Sequence, residues 1–273
     1  MAADGSAPRR IAIGVEYDGS RFSGWQTQGD PTLPTVARSL EQALARVADH
    51  PVKLFCAGRT DSGVHATGQV AHFECRTDRG EKAWVRGTNS NLPPSVRVTW
   101  ARPVAPDFHA RFSATARRYR YIIQISPVAS AILAGKVTHQ RQPLDIHNMH
   151  AAGQLLLGEN DFSAFRAAGC QSRSANRCIH WLNVSEVGGF IVVDIQANAF
   201  LQHMVRNIVG VLLEIGATRQ PPGWARELLN GRDRTAAAIT APPDGLYLVQ
   251  VSYPEHCGLP AVIPGPAFLH PIP

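Results

Sequence analysis

The sequence predicts an α+β fold in which two pseudo-duplicated domains share a mainly antiparallel sheet flanked by helices. Segments with the two-residue period of strands recur in both halves of the chain. Helical segments are mixed with them without regular βαβα order, and each half offers about one strand–helix–strand set. The 273 residues suffice for two separate cores. We therefore expect domains at 1–110 and 111–273, with the active site in a cleft between them.

The first half is expected to begin with a half-buried strand, because the apolar residues of IAIGVEY alternate along one face. Asp18-Gly19 then predicts a turn, and Thr35 is a suitable N-cap for a helix. The elements predicted for this half are strands at 11–17, 52–58, 68–75 and 96–102, a helix over 36–49 and a short helix near 81–90.

The second half repeats this mixture of strands and helices. Its predicted strands are 117–125, 178–187, 190–197 and 245–253, and its predicted helices are 145–158, 200–216 and 222–230. Residues 257–273 are rich in proline, which indicates an extended tail on the surface of the second domain.

The composition is that of an ordinary globular protein, with 44% hydrophobic and 18% charged residues. The N-terminal segment has no apolar stretch that would suit a signal peptide, and no run approaches a membrane span, so we expect a cytoplasmic protein without membrane contact. The net charge of +6 and the pI near 9.4 favour a polyanionic partner.

The five cysteines show no CxxC spacing, which argues against a zinc site and against a disulfide framework. His147 and His150 have a spacing that could bind metal, but no acid or cysteine nearby supports them. No nucleotide motif is present either. We expect no metal and no cofactor.

The most unusual segment is CAGRTDSGVHATGQVAHF, residues 56–73. Its three glycines allow tight bends or a close approach to a ligand. Arg59 stands two residues before Asp61, and a guanidinium there would favour an ionised carboxylate in a partly dry pocket. Composition alone equally allows a glycine-rich hairpin loop in which Asp61 only stabilises a turn.

The whole string resembles the signature of the tRNA pseudouridine synthase A family, and further segments in the same order extend the resemblance over nearly the full chain. The matching segments are 14–26, 56–73, 108–121, 156–166, 198–210 and 245–249. Several segments in the right order are far more specific than one short motif.

The resemblance assigns roles residue by residue. Asp61 matches the catalytic aspartate of the family, and Tyr119 matches the tyrosine that packs against the target base. Arg59 and Arg206 match arginines placed around the active site, and Leu246 lies in a segment associated with the pocket wall.

Some residues also allow a purely structural interpretation. Tyr119 alternates in step with Tyr121, so its spacing alone indicates a core aromatic residue. Arg206 lies on a polar helix stripe that faces either solvent or a cleft. His65 and His72 are expected to be structural or to face RNA. Ser62 stands where alanine is common in the family, and a hydrogen bond from its hydroxyl is a possible addition.

The implied activity is the isomerisation of uridine to pseudouridine at positions 38, 39 and 40 of the tRNA anticodon arm. The resemblance also implies a homodimer in which the tRNA spans both subunits. Two other classes compete with this hypothesis. The Asp61-Ser62-Gly63 triplet resembles that of aspartic proteases, but no second triplet occurs in the chain. A non-catalytic RNA-binding module would also suit a basic surface, although it has no need for Arg59 and Asp61 together.

Overall fold

The computed structural model describes residues 8–26, 30, 32–77 and 79–269. These residues fall into two compact units. The first comprises the described residues up to Thr115 together with Gln250–Pro264, and the second comprises Ala116–Val249 together with the residues from Gly265 onward. The chain thus returns to the first unit near its C-terminal end. The division into domains at 1–110 and 111–273 stays a prediction.

The first unit is built on antiparallel strands with one α-helix. Its elements are β1 (Arg9–Tyr17), α1 (Val36–Ala48), β2 (Phe55–Cys56), β3 (His65–Cys75) and β4 (Val96–Val104). Strand β1 lies between β4 and β3, and β2 pairs with β3. Ile13 of β1, Leu40 and Leu44 of α1 and Phe73 of β3 are fully buried. Burial of apolar side chains from both the strands and the helix therefore forms this core.

Helix α1 begins where the sequence predicts. The Thr35 side chain accepts a hydrogen bond from the Arg38 N–H at 3.4 Å, as an N-cap residue does. The helix ends at Ala48, and Asp49 follows it with a left-handed backbone, at a φ of 60°. The short helix predicted near 81–90 is present and includes a π-helical turn at Ala83–Gly87.

The second unit also combines antiparallel strands with helices. Its elements are β5 (Ala116–Ile125), β6 (Thr138–Gln140), α2 (Ile146–Gln154), β7 (Gly158–Asp161), β8 (Asn176–Val187), β9 (Phe190–Ala197), α3 (Met204–Gly216), α4 (Trp224–Gly231) and β10 (Leu246–Ser252), of which the last three residues belong to the first unit. The strand order is β10-β5-β9-β8-β7, and β6 pairs in parallel with β5. The α+β class with mainly antiparallel pairing is thereby confirmed.

Several sequence predictions differ from the structure, and the helix expected over 200–216 begins only at Met204. The strand expected over 52–58 is reduced to β2, and the helix expected over 145–158 ends at Gln154. The predicted extended surface tail does not describe all of residues 257–269: Ile263 is 78% exposed, but Leu259 packs against the core of the first unit and Leu269 is buried in the second. Residues 270–273 of the predicted tail lie outside the described part of the chain.

Candidate active site

Asp61 lies in the loop that joins β2 to β3. Its side chain is half-buried and that of Arg59 is exposed. The carbonyl oxygen of Asp61 accepts a hydrogen bond from the Val64 N–H at 3.2 Å. Gly63 has φ of +79°, the conformation that the third position of a type II turn requires. Asp61 is therefore the first residue of a tight turn, which restricts where its carboxylate can point.

The segment from Tyr17 to Trp25 supports this loop on one side. The Tyr17 hydroxyl and the Thr60 hydroxyl form a buried hydrogen bond of 2.7 Å. The Trp25 N–H donates to the Thr60 carbonyl at 3.0 Å. Gly24 has φ of +87°, and a Cβ atom there would lie 2.7 Å from the same carbonyl oxygen. Only glycine therefore fits between this segment and the backbone that carries Asp61.

Phe22 binds the turn after Asp61. The Gly63 N–H donates to the Phe22 carbonyl at 3.3 Å, and the Ser62 hydroxyl donates to the same oxygen at 3.3 Å. The hydrogen bond considered for Ser62 is thus present. Hydrogen bonds on both sides of Asp61 hold the loop in one conformation, which is the preorganisation that a reacting group needs.

His65 has a structural position at the start of β3. Its ring is 1% exposed, and its Nδ1 accepts the Gly19 N–H at 3.0 Å. The same Nδ1 lies 3.3 Å from a carboxylate oxygen of Asp18. Gly19 itself packs directly on Val64, since a Cβ atom there would lie 2.0 Å from the Val64 carbonyl oxygen.

Arg59 belongs to a positively charged part of the first unit. Burial raises the pKa of the Cys56 thiol to about 12, and the positive charges of Arg59 and Arg111 oppose that rise. Both positive charges thus act on the Cys56 thiol at the end of β2, the strand that precedes the loop of Asp61. Such charges attract the phosphates of a nucleic acid.

Tyr119 lies on β5 in the second unit. It is 8% exposed and packs edge-on against Phe200, with ring centroids 5.1 Å apart. Tyr121 is fully buried in step with it, but Ile122 is fully buried as well, so the expected alternation does not continue along the strand. The Tyr121 hydroxyl binds the Thr138 hydroxyl at 2.6 Å and donates to the Pro242 carbonyl at 2.9 Å.

Arg206 lies on α3 and contacts the segment that precedes β10. Its Nε donates to the Ala241 carbonyl at 2.7 Å, and the Ala241 N–H donates back to the Arg206 carbonyl at 3.1 Å. One turn along, Gly210 leaves room for this segment, because a Cβ atom there would lie 2.2 Å from the Ile239 carbonyl oxygen. At Arg206 and Gly210 this helix is therefore in contact with chain from its own unit.

Asn207 completes this arrangement as a buried polar residue. Its amide nitrogen donates to the Phe165 carbonyl at 2.8 Å. Its amide oxygen accepts from Arg234 at 3.1 Å and from Thr240 at 2.7 Å. Because these bonds satisfy a side chain that is 1% exposed, they fix the backbone next to Arg206.

Leu246 is the first residue of β10 and is 5% exposed. Its N–H donates to the Pro243 carbonyl at 2.9 Å. Within the second unit the structure thus places Tyr119, Arg206 and Leu246 on β5, α3 and β10, and in the first unit it places Arg59 and Asp61 on one loop.

Sequence reasoning did not single out Tyr17, Gly24 or Asn207 as supports of the site. Tyr17 and Gly24 lie inside the segment 14–26 that carries part of the resemblance, but nothing in their spacing indicates a contact with Thr60. Nothing in the sequence distinguishes Asn207 from other polar residues on the same helix. The described residues contain no group of three or more His, Cys, Asp or Glu side chains that could hold a metal ion. None of the described helices is both long and apolar enough to cross a membrane.

Comparison with known proteins identifies the family. A family model described as tRNA pseudouridine synthase matches residues 13–113 and 152–254. A protein of Actinobacillus pleuropneumoniae serotype 3 named tRNA pseudouridine synthase A is 59% identical over 260 residues, which cover 95% of this chain and 98% of that protein.

Proteins with the same name from Hydrogenovibrio crunogenus and Salmonella typhimurium are similarly close. The first is 57% identical over 93% of this chain and 96% of that protein. The second is 56% identical over 97% of each chain. The family match and these full-length similarities show that the chain belongs to the tRNA pseudouridine synthase family.

Proposed function

We propose that this protein converts uridines at positions 38, 39 and 40 of the tRNA anticodon arm into pseudouridine, with Asp61 as its catalytic residue. Membership of the family makes the protein an isomerase that acts on tRNA. The observation that carries the role of Asp61 is its place in the loop. It is a half-buried carboxylate at the start of a turn that hydrogen bonds hold on both sides.

The reaction rearranges bonds without a redox change. The bond between N1 of uracil and C1′ of ribose breaks, the base rotates, and C5 forms a new bond to C1′. The hydrogen on C5 leaves as a proton, and N1 ends with a hydrogen, so atoms and electrons balance within one nucleotide. One carboxylate in a fixed position can serve as the reacting group for this exchange of bonds.

Asp61 has three possible routes. Its carboxylate attacks C1′, adds to C6 of the base, or stabilises a glycal-like intermediate. All three need a carboxylate held at a fixed place beside the nucleotide, and the turn between Asp61 and Val64 provides that constraint.

The other matched residues are proposed to hold the nucleotide. Tyr119 stacks on the uracil during its rotation, and Leu246 forms part of the pocket wall. Arg59 and Arg206 pair with Asp61 or with a phosphate of the flipped nucleotide. Extruding a base from its stack costs a few kcal/mol, and phosphate contacts to a chain with net charge +6 offset that cost.

We further propose that the protein is a cytoplasmic homodimer in which one tRNA spans both subunits. The support is the resemblance of the sequence segments. Sedimentation of the pure protein at micromolar concentration tests the dimer, which should have twice the 29.6 kDa mass of the chain.

The test of function uses tRNA transcripts that carry tritium at C5 of uridine, without added cofactor. Release of tritium demonstrates isomerisation, because C5 loses its hydrogen only when the new bond forms there. Transcripts with a single uridine at position 38, 39 or 40, and cytidine at the other two, test the positions one at a time. Tight binding without release from any transcript would favour a non-catalytic RNA-binding module.

A further inference from the structure

Four aromatic rings form a cluster in the first unit that the proposed chemistry does not use. Phe55, His72, His109 and Phe112 make up this aromatic cluster. The Phe55 and His72 rings are stacked with centroids 5.2 Å apart, and His109 lies 4.6 Å from His72. Phe112 extends the series, because its ring centroid is 4.4 Å from that of His109.

The two phenylalanines of the cluster are exposed. Phe55 is 39% exposed and Phe112 is 77% exposed. Such large apolar rings would stabilise the fold if they were buried, so their exposure lacks this stabilisation. Each has a cation near its ring. The Lys53 Nζ lies 5.5 Å from the Phe55 centroid, and the Arg111 guanidinium carbon lies 5.7 Å from the Phe112 centroid.

The rings are held in place by hydrogen bonds to the backbone beneath them. His109 Nδ1 accepts the N–H groups of Arg111 and Phe112 at 3.1 and 3.4 Å. His72 Nδ1 accepts the Ala110 N–H at 3.1 Å, and the His109 N–H donates to the Ser113 hydroxyl at 2.9 Å. Phe112 is therefore presented on a fixed turn, so that binding to it costs little ordering entropy.

The cluster is connected to the loop of Asp61 through β2. Phe55 begins β2, which leads directly into that loop. Arg111, next to Phe112, acts on the same Cys56 thiol as Arg59 does. Phe55 and Asp61 are therefore only six residues apart in the chain, on the segment formed by β2 and the loop that follows it.

We propose that the aromatic cluster is a stacking platform on which Phe112 binds an unpaired base of the RNA substrate next to the target nucleotide. Phe55 extends the platform, and Lys53 and Arg111 bind the adjoining phosphates. Exposed aromatic rings interleaved with cations suit nucleic acid, because a base stacks on a ring while its phosphate pairs with a cation. The identity of the partner as RNA rests on the proposed function.

The test compares substitutions at Phe112 for tRNA affinity and for tritium release. Phe112→Ala should raise Kd and KM about 5- to 100-fold, the typical loss of stacking on one base, and leave kcat at saturating tRNA within about twofold. Phe112→Tyr, which keeps the aromatic face, should behave as the wild type. Phe112→Leu keeps the apolar bulk without the aromatic face and should resemble Phe112→Ala.

Phe268→Ala is the matched control. Phe268 is 42% exposed, lies in the second unit and contacts Phe190 and Tyr247, so its loss should leave tRNA affinity unchanged. An unchanged Kd for Phe112→Ala would overturn the platform, and so would a Phe112→Leu variant that binds as well as the wild type.

This experiment distinguishes failure of the platform proposal from failure of the proposed function. Wild-type protein that binds tRNA in a Phe112-dependent way but releases no tritium would refute the isomerase assignment and support the platform. Wild-type release with no dependence of KM on Phe112 would refute the platform and leave the isomerase standing.

Discussion

The hydroxyl groups of Tyr17 and Thr60 are hydrogen-bonded at 2.7 Å in the interior of the first unit. This bond connects the last residue of β1 to the residue that precedes Asp61. Tyr17 is 3% exposed and Thr60 is 8% exposed, so water does not readily replace either partner. The position of Asp61 therefore depends on a strand that is more than forty residues earlier in the chain.

Removal of this hydroxyl should affect turnover more than tRNA binding. We predict that Tyr17→Phe lowers kcat roughly 10-fold, because small displacements of a reacting group are costly, and lowers the free energy of unfolding by about 1–2 kcal/mol. Tyr247→Phe removes a similar hydrogen bond, to the Lys136 carbonyl at 2.7 Å, and serves as the control. It should lose comparable stability and retain kcat. Equal kcat values in the two variants would contradict the positioning role of Tyr17.

The packing of Gly24 on the Asp61 loop gives a second prediction. Gly24→Ala and Gly258→Ala both place a side chain at positive φ, at +87° and +61°, which costs about 1 kcal/mol in each case. Only Gly24→Ala also forces a Cβ atom against the Thr60 carbonyl oxygen, whereas Gly258 has open space. Urea unfolding should show the larger loss for Gly24→Ala, and tritium release should fall only in that variant. Equal losses would show that the close packing is unimportant.

The stability of the first unit should decrease in mild acid because of His72. Burial, together with the charges of His109 and Arg10, lowers the pKa of His72 to about 4, whereas an unfolded histidine titrates near 6.5. Between these values the unfolded chain binds a proton that the folded chain does not. This contribution to stability is therefore present above pH 6.5 and is lost as the pH falls towards 4.

The expected loss from His72 between pH 7 and pH 5 is about 2 kcal/mol, at about 1.4 kcal/mol per pKa unit. Denaturant unfolding at both pH values measures it. His72→Gln, which cannot titrate, should have a smaller difference between the two values. The same pH dependence in both proteins would exclude His72 as its source.

The role of Tyr119 is tested by two substitutions. Tyr119→Phe retains an aromatic face against the uracil and should keep more activity than Tyr119→Ala, which also loses the contact with Phe200. Single-turnover tritium release measures both. An equal loss in the two variants would mean that the hydroxyl group, rather than stacking, is what the reaction requires.

Local signals in the sequence predicted much of this fold. The Thr35 cap and the apolar spacing after it predicted the start of α1, because both depend on residues within one or two helical turns. Contacts between distant residues have no such local signal. The strand predicted at 52–58 is shortened partly because the Leu54 N–H binds the Glu41 side chain at 2.9 Å instead of a neighbouring strand.

The helix predicted over 145–158 shows the same limit. It ends early because β7 begins at Gly158, whose positive φ of 82° no helix contains. Leu155–Leu157 are apolar and give no signal that the helix stops at Gln154. The pairing of Gly158 with Ile179 of β8 is a contact between distant residues that local sequence does not show. Likewise, the buried position of Leu269 depends on a core that includes Ile122 and Val137, both more than one hundred positions earlier in the chain.

The residues of the candidate site likewise separate into those that the sequence predicts and those that it does not. Ordered sequence segments predicted Arg59, Asp61, Tyr119, Arg206 and Leu246, and their roles stay predictions. The contacts around them could not be predicted, because Tyr17 and Thr60, or Phe55 and His72, meet only after the strands have paired.

The most direct test of the account is tritium release by Asp61→Asn compared with Asp49→Asn. Asp49 is exposed and follows α1 with a left-handed backbone that asparagine also tolerates, so its variant controls for the same chemical change in the same unit. We predict that Asp61→Asn folds, binds tRNA with near wild-type affinity and releases no tritium, whereas Asp49→Asn retains full turnover. Appreciable release by Asp61→Asn, with contaminating wild-type enzyme excluded, would contradict the assignment of Asp61 as the catalytic residue.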